Sequence, residues 1–394
     1  MGIKRHIGCI TLLIFLLICL SQVIIAGNTR SADNVHLLFN QPQNGQSVIA
    51  MEKTGQESDE SFDYAMWGEV AGQIIENPDF NRKHSADIIY VRGKTELFLN
   101  HTGYLDTKDG TGCLIDKESA WQLFGDGDAI GRIIKYDNKE YLIQGILEDM
   151  ESVLVIPVTS KTIEVVNQVC LKIPEGKYSG SIIESFKSIY GIDATEVEYR
   201  IYRWVSNIWL GLIPLAMGIY FFAALLKQAF LRRHYPIIFW GYIGIGLVFF
   251  AVYIWITQMK FSLPQEFIPN KWSDFEFFSN LYEEKSQSIQ LLLGTENPKP
   301  MMPYVNAFWQ TLKYGALSVI LWSVLHMIIR INDKRTLCID IVFALTGAFL
   351  CVVLFQNMPQ AVHLPNSRSL WLAPSVYFLG RYIVYLCRNF SKTL

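Results

Sequence analysis

Residues 7–26 hold no charged side chain and are long enough, at about 1.5 Å per helical residue, to cross a hydrocarbon core ~30 Å thick. No run of that kind recurs for nearly two hundred residues. Then five largely apolar runs follow: 205–226, 237–258, 307–329 with Lys313, 337–355 with Asp340, and 370–386, the last being the shortest and carrying Arg381. A chain built this way cannot bury all its apolar surface around one aqueous core. It predicts about six lipid-embedded helices, with a water-facing domain held between the first and the second. Composition agrees: 51% of the 394 residues are hydrophobic and only 18% charged, below the usual charged fraction of soluble domains. The formal net charge of −2 gives no basic field, which argues against a nucleic-acid partner.

Lys4 and Arg5 precede the first run, a pattern shared by membrane anchors and signal peptides. Lys227, Arg232 and Arg233 fill the gap after the second run. Arg330, Lys334 and Arg335 fill the gap after the fourth, and Arg388 and Lys392 close the chain. The positive-inside rule places these clusters, and with them both termini, in the cytoplasm; Arg200 and Arg203 lie on the opposite side. The expected division is a membrane anchor at 1–26, a polar linker at 27–61 and an extracytoplasmic domain at 62–203. A helix pair follows at 204–258, an outer amphipathic loop at 259–306, and further helices with a short cytoplasmic tail at 307–394. Several tryptophans, Trp204, Trp255 and Trp309 among them, stand near helix ends, where indole rings favour the headgroup level.

The outer interval alternates short apolar runs with turn chemistry. Residues 27–61 are polar and end in the acidic series Glu57, Asp59, Glu60 and Asp63, which reads as solvated chain. Residues 66–75 have helical apolar spacing, and 88–91 and 97–99 read as strands. Most informative is 110–148. There a buried-type run, CLID, leads to Asp116, a good N-cap, and to the short helix KESAWQLF. The turn GDGDAIG follows, then two alternating runs joined at Asp137-Asn138. Residues 153–158 and 169–173 are further strands, the first pushed toward a sheet edge by Pro157. Residues 181–190 form an amphipathic helix ended by Gly191. The sum is an α+β domain on an all-α bundle. In the outer loop, Ser273 is a candidate cap for an amphipathic helix over 274–293.

The order Leu114-Ile115, Ala120, Leu123-Phe124-Gly125, Ile130-Gly131 and Gly145-Ile146 resembles the MacB-like periplasmic core domain, the extracytoplasmic part of a family of ABC-type permeases and efflux subunits. Trp67-Gly68-Glu69 fits the pattern more loosely, and the resemblance spans roughly residues 60–200. It implies a retained first helix, a homodimer, a bacterial plasma-membrane location and a separate ATP-binding subunit. It also makes Phe124, Gly125, Ile130 and Gly131 a domain-packing motif. The family's usual four helices and its Arg-Glu-Ile-Gly-type cytoplasmic motif are not matched here.

No catalytic, cofactor or metal site emerges. The GDGDAIG turn lacks the Gly-Lys-Ser/Thr ending of a phosphate loop, and the other ligands of a calcium loop are missing around Asp126 and Asp128. The histidines are scattered, and neither HExxH nor GxSxG occurs. Any ATP is therefore hydrolysed by another chain. Cys113 and Cys170 fit both a disulfide and two separate buried thiols. Ionisable residues inside apolar runs are functional candidates by default: Lys313, His326, Asp340 and Arg381, with Asp340 a candidate partner of Arg381. The leading expectation is a permease-like membrane subunit of an ABC-type transport or mechanotransmission system. Its rivals are a non-transporting envelope binding or scaffold protein, and a secondary transporter using Arg381 and Asp340.

Overall fold

One long strand organises the polar interval. The computed structural model describes residues 2–27, 34–58, 60–174, 179–197, 199, 201–257, 275–294, 297–329, 331–356 and 368–390. After α1 (Gly2–Gly27) come β1 (Asn34–Gln43), α2 (Gly45–Gln56), β2 (Tyr64–Asn77) and β3 (Arg82–Gly93). Next are β4 (Gly112–Asp116), α3 (Lys117–Phe124), β5 (Ile133–Tyr136), β6 (Lys139–Leu147), β7 (Val153–Pro157), β8 (Val166–Lys172), α4 (Ser179–Tyr190) and β9 (Ala194–Val197). Strand β2 is 14 residues long and changes register between Val70 and Gln73, where Gly72 takes a φ of 67°. A bulge of this kind bends a strand, and the bend lets β2 serve two sheets. Its far end meets β5 at Glu76–Lys135, closing the ring β2-β3-β7-β4-β6-β5. Its near end, Tyr64–Trp67, pairs with β8, which continues into β1 and β9.

Each sheet encloses its own core. The ring holds Ile75, Ile88, Cys113, Ile115, Ile143 and Leu154, and α3 closes it with Ala120 and Leu123. The open extension packs Val35, Leu37 and Phe39 of β1 against Val48 of α2 and Phe186 and Tyr190 of α4. Strands β4 and β7 are buried along their whole length, which accounts for their unbroken apolar runs. Cys113 and Cys170 form no disulfide. The first lies inside the ring, and Cys170 Sγ is 3.6 Å from the Leu97 carbonyl oxygen.

Several expectations are corrected. Much of the segment read as linker, 27–61, is structured: β1 lies between β8 and β9, and α2 contributes to the core. The α/β unit thus begins before residue 62. Residues 66–75 are strand, not helix. Met66, Trp67 and Gly68 are all buried between β3 and β8, so alternation is lost there, and the bulge shifts the phase beyond it. Residues 95–97 form a 3₁₀ turn where a strand was expected nearby. Strand β7 is interior, between β3 and β4. Pro157 is tolerated because it ends the strand, beyond the β4 pairs at Val155 and Leu154.

The remaining helices are α5 (Ile201–Leu231), α6 (Pro236–Thr257), α7 (Phe275–Leu293), α8 (Met302–Ile328), α9 (Lys334–Gln356) and α10 (Arg368–Phe390). The chain divides into two compact units. One comprises residues 31–199 with 286–302; the other comprises 1–30, 200–285 and 303–394. Among the described residues four helices are long and apolar enough to cross a membrane: Gly8–Gly27, Ile201–Leu231, Lys299–Ile328 and Lys334–Leu354. Pro236–Val252 is a shorter apolar helix. The helical unit packs around Leu16, Leu17, Met217, Phe221, Tyr377 and Phe378. The expected cap at Ser273 lies outside the described residues.

Candidate functional site

The helical unit brings two of the four flagged ionisable residues together. Arg381, half-buried on α10, directs Nη1 at the Tyr220 hydroxyl (3.1 Å) and at His326 Nε2 (3.5 Å). Its Nη2 donates to the Ile329 carbonyl at 2.7 Å. That carbonyl closes the C-terminal turn of α8, where a cation meets the negative end of the helix dipole. The Tyr377 hydroxyl completes the cluster, 2.8 Å from His326 Nδ1. Arg381 also lies over the Tyr220 ring, 5.8 Å from its centroid.

The expected pairing of Arg381 with Asp340 is corrected: every hydrogen bond of the guanidinium goes to a neutral group. Asp340 instead lines a small cleft with Cys9, Ile329 and Phe378. Lys313 is exposed and lies over Tyr314, away from the cluster. Tyr377 was open to detection, since it sits four residues before Arg381 on one helix face. Tyr220 comes from another helix and carries no local signal.

In the α/β unit the Phe124-to-Gly131 motif is a piece of architecture. Asp116 caps α3, its carboxylate accepting from Glu118 N (2.9 Å) and Ser119 N (3.0 Å). Gly125 ends the helix at φ 74°, its N–H bonded to the Trp121 carbonyl. Gly131 sits at φ 82° and donates to Ile143 O. Both positions demand left-handed backbone, which glycine adopts without penalty. Phe124 packs partly on the ring core, with Arg132 lying 5.3 Å from its ring centroid. Of the four residues of the domain-packing motif, Ile130 is 50% exposed, and its neighbour Ala129 fills the core position. Asp126 and Asp128 cap turn N–H groups, and no cluster suited to a metal ion occurs among the described residues.

A second polar cluster in this unit had no sequence signal, because its members lie far apart in the chain. Lys299 donates its backbone N–H to Glu69 Oε2 (2.7 Å) and places Nζ 2.8 Å from Asp87 Oδ2. Nζ also reaches the carbonyls of Glu151 (2.8 Å) and Ser152 (3.0 Å). Burial, reinforced by the Asp87 charge, pushes the Glu69 carboxyl up to about 7, although the Lys299 N–H and ammonium pull the other way. The folded state therefore holds this proton more tightly than the unfolded chain. Stability should fall as pH rises from about 4.5 to about 7 and then level off, by up to roughly 3 kcal/mol. Glu69→Gln should flatten that part of the curve in urea titrations of the full chain at successive pH values. An unchanged slope would remove Glu69 as its source.

No family model matches the chain, and no curated protein matches it. Solved structures do resemble part of it. One is the periplasmic region of MacB from Actinobacillus actinomycetemcomitans, at 13% identity and a TM-score of 0.34, covering 43% of this chain and 90% of that one. Another is the extracellular domain of a noncanonic ABC-type transporter, YknZ, from Gram-positive bacteria. It is 14% identical, covers 42% of this chain and 98% of that one, and has a TM-score of 0.30. The chain is a membrane protein that joins a mixed α/β domain to apolar helices.

Proposed function

We propose that this chain is a permease-like subunit of an ABC-type transport or mechanotransmission system, whose α/β unit is moved by a separate ATP-binding subunit. One feature of the chain path carries the reading. The helices that bracket the α/β unit in sequence, α1 and α5, are packed together: Ser206 Oγ donates to Val23 O at 2.9 Å in a buried contact. A Cβ at Gly27 would lie only 2.4 Å from Ser206 Oγ, so the approach requires glycine. The first and last strands of the α/β unit are paired as well, His36 opposite Val197. Two packed helices thus adjoin in sequence two strands paired at one edge of the sheet, which supports a reading in which movement of the helix pair acts on that edge. Cytoplasmic termini and an outward α/β unit belong to the same reading, on the charge pattern given above.

The test is purification of the full chain from its native membrane in several detergents. An ATP-binding protein encoded beside it is expected to co-purify and to show ATPase activity that depends on this chain. Failure in every detergent, with no such gene adjacent, would defeat the reading. One observation favours the rival, a non-transporting binding or scaffold protein. The connections after α5 and α8, residues 232–235 and 329–333, are short and leave little chain on which an ATPase could dock.

A further inference from the structure

We infer that residues 297–302 are a pH-dependent latch on the α/β unit, in which Lys299 fastens the chain beside the bulge of β2 in acid and loosens as pH rises to neutrality. The segment belongs to this unit, although α5, α6 and α7 separate it from β9 in the chain. Lys299–Met301 is a 3₁₀ turn that runs directly into α8 at Met302, and Pro300 and Met301 are buried. Lys299 also opens the stretch Lys299–Ile328, which is long and apolar enough to cross a membrane. Whatever holds the turn therefore holds the start of that helix.

The fastening is geometric. The Lys299 ammonium is met by Asp87 Oδ2 and by the carbonyls of Glu151 and Ser152, and its backbone N–H by Glu69 Oε2. Asp87 ties these contacts to the bulge, because its Oδ1 accepts from Gly72 N at 2.7 Å. Gly72 is the residue whose left-handed backbone marks the change of register. Ser152 is left-handed too, at φ 54°, and it carries a Cβ. Its carbonyl accepts both the Asp87 N–H, at 2.8 Å, and the ammonium. Backbone of this kind persists only where the surroundings impose it. Here the two donors on one carbonyl impose it, and one of them is the latch.

The trigger is a charge imbalance. Glu69 pairs with Ile89, and Asp87 stands two residues from Ile89, so both carboxyls lie on one face of the β2–β3 ladder. One ammonium cannot neutralise two carboxylates in a half-buried place, so one of them keeps its proton beyond the usual range. Glu69, raised to about 7, is that one. Asp87 and Lys299 are the charged groups that act on it, and His84 joins the cluster through Ser152, its Nε2 3.3 Å from the hydroxyl. Undocking returns Glu69 to water and to its ordinary 4.5. The docked state thus binds the extra proton. Docking is firmest below about 4.5, weakens as pH rises to about 7 and levels off beyond. This inference rests on the α/β unit alone and is independent of any ATPase partner.

The experiment is hydrogen–deuterium exchange of the full chain in detergent, read on the peptide covering residues 297–302 and corrected for the intrinsic effect of pH. Protection of that peptide should fall about tenfold to a hundredfold from pH 5 to pH 8. Its opening should be insensitive to urea below the unfolding transition, unlike that of the Ile88 and Ile89 amides in the core of β3, because it is local. Glu69→Gln keeps an acceptor without the charge, so its protection at pH 8 should match that at pH 5. Lys299→Met keeps the backbone N–H and removes the ammonium, so protection at pH 5 should drop severalfold. Equal protection of the unaltered protein at the two pH values overturns the proposal, as does an undiminished fall in Glu69→Gln or unchanged protection in Lys299→Met. Exchange of the peptide only together with the β3 core also overturns it, since the segment would then be a fixed part of the domain.

Discussion

Glu52→Ala should cost the α/β unit about 3–5 kcal/mol, the usual loss when one member of a buried ion pair is removed. Glu52 sits on α2 with its side chain 8% exposed, and Arg92 of β3 is 12% exposed. Their contact is 2.6 Å, and Arg92 Nη1 also donates to the Thr107 carbonyl at 2.8 Å. Removing the carboxylate leaves a guanidinium buried with one carbonyl for company. The Gln56 amide, 3.2 Å from Glu52 Oε1, loses its acceptor too. Replacing both partners by apolar residues, Glu52→Leu with Arg92→Met, should recover most of the loss, because no charge is then stranded. Urea unfolding of the full chain, followed by hydrogen exchange of α2 and β3 amides, measures both. Were residues 34–56 a solvated tether, Glu52→Ala would change stability by less than about 0.5 kcal/mol, and such a result would refute their place in the core.

That prediction also marks where the sequence was readable. Segment 110–148 was legible because its signals are local. Asp116 stands directly before the helix it caps. Gly125 stands directly after it, and Asp137 and Asn138, at φ 46° and 57°, make the turn between β5 and β6. Strand β1 was hidden because it shows only three alternating apolar residues, Val35, Leu37 and Phe39, beside a polar and acidic stretch. Its partners β8 and β9 lie more than a hundred residues further on. Strand β2 was misread because it is buried on both faces at one end and bulged in the middle, which imitates a helical period. In the helices, charge inside an apolar run singled out Arg381 and His326. Their partners could not be named, because spacing along one helix says nothing about which face of another it meets. Lys299 and Glu69 illustrate the same limit.

The second large effect is expected at Asp116, which does more than cap α3. The residue is fully buried. Oδ1 takes the N–H groups of Glu118 and Ser119, while Oδ2 accepts from Val153 N at 2.7 Å. One carboxylate therefore fixes the start of a helix and the start of β7, joining neighbours on the ring that are 37 residues apart in the chain. Asp116→Ala loses an N-cap, worth about 1 kcal/mol. It also strands a buried Val153 N–H at a further 1–3 kcal/mol or so. The two sum to roughly 3 kcal/mol. Asp116→Ser separates them, because a serine hydroxyl still caps the helix but is too short to reach β7 as well. It should show about two-thirds of the loss, with hydrogen-exchange protection kept in α3 and lowered at Val153. If the serine variant is as stable as the unaltered protein, the carboxylate acts as a cap alone and the tie to β7 contributes nothing; if the alanine and serine variants are equally destabilised, the cap contributes nothing. If protection at Val153 falls in both while α3 stays protected only in the serine variant, the two roles are independent and add, as expected for groups that share one side chain but not one acceptor oxygen.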